Sequence, residues 1–217
     1  MSDQETTSAA KRRAILEAAT AAFLRNGYRG TSMDEIAAAA RVSKQTVYRH
    51  FSDKERLFAE IVTATVHEAG DTVEEGVRNL QASGDVEADL RELARRQLHF
   101  VMQPRIMQLR RLVIGEANRF PDLGRTFYEQ GPRRTIAALA TAFARLVERG
   151  QLHIEDPRLA AAQFNWLIMS EPLNQSMLLG DDHIPDPAEL DAWADAAVRL
   201  FLAAHGHPPG IASADDA

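Results

Sequence analysis

Between Ser32 and Glu55 the chain starts a helix three times. Ser32-Met33-Asp34-Glu35 has the form of a capping box. In such a box the serine oxygen accepts from the amide three residues on, and the glutamate reaches back to the serine amide. Ser43 stands before Lys44 as a second cap, and Ser52-Asp53-Lys54-Glu55 repeats the box ahead of a run in which Leu57, Phe58, Ile61, Val62 and Thr65 share one face. Helices begun at such short intervals cannot lie parallel. They have to cross steeply around a small core, for which Phe23, Ile36, Val42, Val47, Phe51 and Leu57 supply the apolar groups. That is the layout of a helix-turn-helix unit. Ahead of it Ile15, Ala19, Ala22 and Phe23 repeat at helical spacing, and Asn26-Gly27 supplies the stop. The residues before Ile15 are expected to form a loose arm, with Lys11, Arg12 and Arg13 placed to follow a polyanion.

Beyond residue 56 alanine and leucine dominate, β-branched alternation is absent, and Pro or Gly recurs at helical intervals. Helices are expected at 54–80, 86–103, 105–119, 122–130, 132–149, 158–179 and 187–204, with breaks that include Gly131-Pro132 and Asp156-Pro157 and a kink at Pro172. The predicted fold is all-α, a three-helix N-terminal helix-turn-helix domain followed by a larger helical bundle. Domain boundaries are expected at 1–56 for the head with its arm and 57–205 for the body, with 206–217 a disordered tail.

The charge is divided along the chain. Residues 1–56 hold ten Lys/Arg against seven Asp/Glu, and the remainder fifteen against twenty-four, within a net charge of −6. All three lysines, Lys11, Lys44 and Lys54, lie in the head. A positive head on a negative body suits a head that meets a polyanion. No run approaches the roughly 18 apolar residues that cross a membrane, and the polar, acidic start does not resemble a secretory signal, so a cytoplasmic protein is expected. Cysteine is absent, which excludes disulfides and thiolate metal sites. There is no Glu-x-x-His pair, no glycine directly before a lysine, no G-x-S-x-G and no G-x-G-x-x-G. An enzyme is not expected, nor a cofactor or a bound metal.

The segment from Ile36 through Ser52 contains no Asp or Glu, although Asp34, Glu35, Asp53 and Glu55 crowd its ends. On a helical wheel of about 100° per residue, Val47 and Phe51 fall together and face inward. Gln45, Thr46 and Arg49 point outward, flanked by Tyr48 and His50, with Lys44 at the free start. Arginine pairs with the two acceptors of guanine, glutamine with adenine, and threonine offers a hydroxyl and a methyl. Lysine, tyrosine and histidine suit phosphate oxygens, which fix register without reading sequence. Thr31 and Ser32 open the preceding helix, where free amides favour a phosphate, and Lys54 occupies the equivalent place on the next. Double-stranded DNA is the expected partner of this surface.

At these residues the sequence resembles the tetracycline-repressor (TetR) family. The matching positions run from Gly30-Thr31-Ser32 through Ile36-Ala37, Val42-Ser43-Lys44, Thr46-Val47-Tyr48, His50-Phe51 and Lys54-Glu55 to Leu57-Phe58. By that resemblance Thr31, Lys44, Gln45, Thr46, Tyr48, Arg49, His50 and Lys54 stand where family members contact operator DNA. Arg41 departs from the pattern, since many members carry glycine there, and an arginine at this turn adds a candidate phosphate contact. Residues 110–134 are similar to an AefR-like C-terminal domain. The resemblance implies an all-helical homodimer joined through its last two long helices, a ligand cavity in each body, and a palindromic operator.

In the body, Phe164, Trp166, Leu167, Ile168, Met169 and Leu173 on one predicted helix, with Leu190, Trp193, Ala197, Leu200 and Phe201 on the next, form apolar faces. They suit pairing with a second copy, or closure of the monomer's own core. Candidate ligand contacts are His99, Phe100, Met102, Met107, Asn118, Phe143, Trp166 and Met169, with His67 and Asn165 as further polar possibilities. Each suits core packing better than ligand contact. Sulphur and aromatic groups suit an adaptable pocket for a flat or hydrophobic effector. The expectation is a dimeric, ligand-responsive repressor. The alternative is a DNA-binding regulator or architectural protein with no small-molecule effector.

Overall fold

The computed structural model describes residues 3–82 and 84–206, and these form ten α-helices with no strand among them. In order they are α1 (Asp3–Gly30), α2 (Met33–Ala39), α3 (Lys44–His50), α4 (Lys54–Ala82), α5 (Val86–Val101), α6 (Pro104–Glu116), α7 (Pro121–Tyr128), α8 (Arg134–Glu148), α9 (Pro157–Leu179) and α10 (Pro187–His205). The all-α reading holds. α9 and α10 start where a capping aspartate precedes a proline. Asp156 accepts from the amides of Arg158 and Leu159, and Asp186 forms a reciprocal capping box with Glu189. α9 continues as one helix across the buried Pro172.

Four local expectations are corrected. The N-terminal arm is helical from Asp3, because nothing before Gly27 breaks a helix. Regular helix stops where expected, since Gly27 takes φ 73° and kinks the chain before the turn ending at Gly30. Gly131-Pro132 does not end a helix; a wider π turn, Glu129–Arg133, carries the chain from α7 into α8 and accommodates the missing N–H of Pro132. The first expected capping box is half formed, and the second is replaced by an aspartate cap. Ser32 Oγ does accept from the Glu35 amide, but the Glu35 carboxylate turns to Asn26 Nδ2, 2.7 Å away. At the start of α4 the cap is Asp53, whose Oδ1 accepts from the Arg56 amide at 2.7 Å while Ser52 donates to its other oxygen. The expected disordered tail lies outside the described residues after Gly206.

By its contacts the chain divides into two compact units. The first runs to His67 and takes in Arg105–Tyr128; the second comprises Glu68–Pro104 and the chain from Glu129. This division differs from the functional one expected at residue 56, because α6 and α7 pack with the head. In the first unit Phe23, Tyr28 and Phe58 form an aromatic cluster with centroids 5.1–5.8 Å apart, and Phe120 meets Tyr28 edge-on at 4.9 Å. Leu109, Val113 and Leu123 from α6 and α7 are buried in the same core as Ile15, Ile36, Val47, Phe51 and Leu57.

In the second unit Phe143, Phe164 and Phe201 bring α8, α9 and α10 together at centroid distances of 4.8–5.6 Å. α5 packs on α10, where Arg95 grips Asp195 through two hydrogen bonds of 2.8 and 2.6 Å. That pairing holds the Asp195 carboxyl below the usual carboxylate range. Within the core Gln97 Nε2 donates to Asn165 Oδ1 at 2.8 Å, a buried amide pair between α5 and α9.

Candidate nucleic-acid interface

The turn that presents α3 is built from backbone bonds. The amide of Arg41 donates to Ala38 O and that of Val42 to Ala37 O, the two bonds of a Schellman stop at the end of α2. Such a stop places its hinge residue in the left-handed region. Arg41 occupies it at φ 55°, the one non-glycine residue with positive φ among those described. Its side chain is exposed. Ser43 then caps α3, its Oγ accepting from the Thr46 amide at 3.1 Å.

α3 exposes Lys44, Gln45, Tyr48 and Arg49 and turns Val47 fully inward, with Phe51 buried just beyond its end. Thr46 is half-buried and its hydroxyl shares a hydrogen bond with Ser43 Oγ at 2.8 Å. Lys44 is not free as expected from its place at the helix start. Its Nζ lies 2.8 Å from Asp34 of α2, and the pair raises the lysine pKa. An exposed pair of this kind holds weakly and can be exchanged for a phosphate. His50 is half-buried rather than flanking the outer face, with Nε2 buried and unbonded. The wheel accounts for this, since three residues at about 100° each leave His50 only about 60° from Val47. Burial lowers the His50 pKa, and the charges of Arg49, Arg12 and Lys11 lower it further.

Two residues named from the sequence have internal tasks. Thr31 is buried, and its hydroxyl donates to Ala22 O at 3.1 Å and Gly27 O at 2.9 Å. Lys54 Nζ donates to Tyr28 O at 2.8 Å and Thr31 O at 2.7 Å and lies 4.5 Å above the Tyr28 ring. Together they satisfy carbonyls near the end of α1, those of Gly27 and Tyr28, and that of Thr31 just beyond it. Burial pushes the Lys54 pKa down. Ser32 is exposed at the start of α2. Arg12 pairs with Glu60 and lies over the Phe51 ring, so it braces α1 rather than forming a free arm. Lys11 stays exposed.

The eight ligand candidates are not gathered into one site. Met107 and Asn118 belong to the first unit, the other six to the second. Phe143, Met102 and Met169 are buried in the core, with Ser176 Oγ 3.8 Å from the Met102 sulphur. Trp166 is exposed. His99 and Phe100 do share a groove of about 450 Å³ between α5 and α10, also lined by Glu92, Arg95, Arg96, Gln103 and Asp191. There His99 Nε2 lies 2.7 Å from Asp191. Gln97 was missed, although its spacing from Leu90, Leu93 and Ala94 puts it on the inner face of α5. Among the described residues no cluster of His, Asp and Glu could hold a metal ion, and no helix is long and apolar enough to cross a membrane.

Comparison with known proteins agrees with this geometry. Residues 15–61 match the profile of bacterial regulatory proteins of the tetR family, and residues 88–207 that of the AefR-like transcriptional repressor, C-terminal domain. A crystal structure from Mesorhizobium loti MAFF303099, described as a TetR-family transcriptional regulator, is 44% identical. It covers 92% of this chain and 98% of that one, with a TM-score of 0.86. The structure of the flavonoid-responsive regulator FrrA is 33% identical over 92% of this chain and 98% of its own, with a TM-score of 0.69. Among curated proteins, the HTH-type transcriptional regulator YhgD of Bacillus subtilis is 42% identical over 67 residues, 31% of this chain and only 35% of YhgD. The exposed acid-free face of α3, the profile matches in both halves and the likeness along nearly the whole length lead to one assignment: the chain belongs to the TetR family of transcriptional regulators, with an AefR-like C-terminal domain.

Proposed function

We propose that this regulator is a homodimeric, cytoplasmic repressor that grips a palindromic operator through α3 and releases it when a small hydrophobic or aromatic effector binds the body. The observation that carries the reading is the outer face of α3, where Gln45, Tyr48 and Arg49 are exposed and the helix itself carries no carboxylate. Gln45 and Arg49 read base edges, while Lys44, Tyr48 and Arg41 hold phosphates. His50 and Thr46 are secondary contacts; Thr31 and Lys54 act mainly by holding the turn before α2. Ser32 offers its exposed position at a helix start.

Dimerisation is supported by exposed apolar side chains at seven-residue spacing, Leu159 with Trp166 on α9 and Trp193 with Leu200 on α10. An aromatic effector is supported by the name of the 33% identical FrrA, and repression by the description of the C-terminal family. In this mechanism an effector that prefers another body shape moves α4 and re-spaces the two α3 helices, which must meet half-sites about 34–36 Å apart. Selection from a random-sequence duplex library, with light scattering of the free and bound protein, tests it. Enrichment of a two-fold symmetric site bound by a dimer is the expected result. A constitutive monomer, or no enriched sequence at low salt, contradicts it.

A further inference from the structure

Most of the half-buried arginines among the described residues have carboxylate partners, and Arg110 does not. Arg12, Arg25, Arg91, Arg95, Arg96 and Arg134 each pair with a carboxylate. Arg110, on α6, is half-buried, yet among the described residues it has neither an ion pair nor a hydrogen bond. Its guanidinium rests 5.5 Å from the centre of the Phe127 ring of α7. Burial lowers its pKa, and no carboxylate offsets that effect. A cation drawn partly out of water without an anion is unfavourable for folding alone. One turn further along the same face of α6 stands Ile114, an aliphatic side chain that is 59% exposed. A cation on an aromatic ring beside an open apolar residue has the complementary shape of an amphipathic anion.

We infer that Arg110 and Phe127 form the recognition point for the carboxylate of a small organic acid, whose aromatic or aliphatic part lies along Phe127 and Ile114. The proposal rests on the effector-controlled reading above and names the chemical class of the effector. A single guanidinium matches a single carboxylate, fork against fork, whereas a doubly charged phosphate calls for further cations. The position also supplies a route to the head. Leu109 and Val113 of α6 and Leu123 of α7 belong to the buried core that contains Val47 and Phe51, and Phe127 packs against that core. An acid bound at Arg110 therefore shifts helices that share a core with α3.

The test is isothermal titration of the full chain with sodium benzoate and sodium octanoate. Benzamide, octan-1-ol and inorganic phosphate serve as comparisons, and Arg110→Gln and Arg110→Lys as variants. At least one of the two acids is expected to bind ten-fold or more tightly than its uncharged counterpart and than phosphate. Arg110→Gln should lose that preference, and Arg110→Lys, which keeps the charge but not the fork, should bind at an intermediate level. Phosphate binding as tightly as the acids, acids binding no better than their neutral counterparts, unchanged acid affinity in both variants, or no binding of any probe would each overturn the proposal. Operator binding by the parent protein, measured without acid, separates the two readings. Its loss sinks the regulator mechanism and leaves the acid site standing.

Discussion

Arg41 holds a backbone conformation that suits glycine and a side chain that suits a phosphate, and replacing it separates the two. At φ 55° an L side chain costs about 1–2 kcal/mol in the folded state. Glycine removes that cost but gains roughly 0.4–1 kcal/mol of freedom in the unfolded chain. Arg41→Gly should therefore be more stable by about 0.5–1 kcal/mol, a rise in melting temperature of about 1–4 °C for a chain of this size. By the proposed reading the same change also removes one phosphate contact per protomer. The slope of log K against log salt should become shallower by about 0.9 per contact, or about 1.8 for a dimer. Arg41→Ala should flatten the slope equally without the gain in stability, since alanine keeps the strain. Denaturation at one fixed protein concentration and anisotropy titrations over a salt series measure both quantities. A less stable glycine variant would refute the strain argument, and an unchanged slope in both variants would refute the contact.

Further outcomes follow from side chains with internal partners. Thr31→Val removes the hydroxyl that donates to Ala22 O and Gly27 O, so about 1–2 kcal/mol of stability should be lost with little change in the operator affinity of the folded fraction. A ten-fold affinity loss at unchanged stability would show that the side chain meets DNA instead. His50 has its folded pKa below the ordinary value, so the unfolded chain takes up the proton first. Its contribution to stability is whole above about pH 6.5 and is lost as pH falls through that value toward the lower folded one. Denaturation at pH 7.5, 6.5 and 5.5 should show a shallower decline for His50→Gln than for the parent; equal declines contradict this. Gln97→Leu and Asn165→Leu should each cost about 1–3 kcal/mol by stranding the partner amide, and the double variant should cost less than their sum. Strict additivity would mean the pair is not coupled.

The sequence disclosed most where the cause is local. Asn26-Gly27, Asp156-Pro157 and the Ser32, Ser43 and Asp53 region mark helix ends because caps and breakers act within a turn of themselves. Arg41 was marked as a turn position that favours glycine by the family resemblance, not by a local signal. The failures have distant causes. Glu35 leaves its own capping box for Asn26, a donor on another helix. Lys54 looks like a free cation at a helix start, but its ammonium lies on carbonyls 23 and 26 residues earlier in the chain. The packing of α6 and α7 with the head, and the seating of Arg110 on the Phe127 ring, depend on contacts between helices that no periodicity records.

The most direct examination of α3 is the ratio of affinities for a selected operator and a scrambled duplex at fixed salt. It should be measured for the parent, Arg49→Ala and Lys44→Ala. Each bidentate base contact contributes about 1–3 kcal/mol of discrimination. The ratio should therefore fall roughly ten- to hundred-fold in Arg49→Ala, while Lys44→Ala lowers both affinities together and preserves it. A ratio left intact by Arg49→Ala, with affinities like the parent's in both variants, would place DNA recognition somewhere other than this helix.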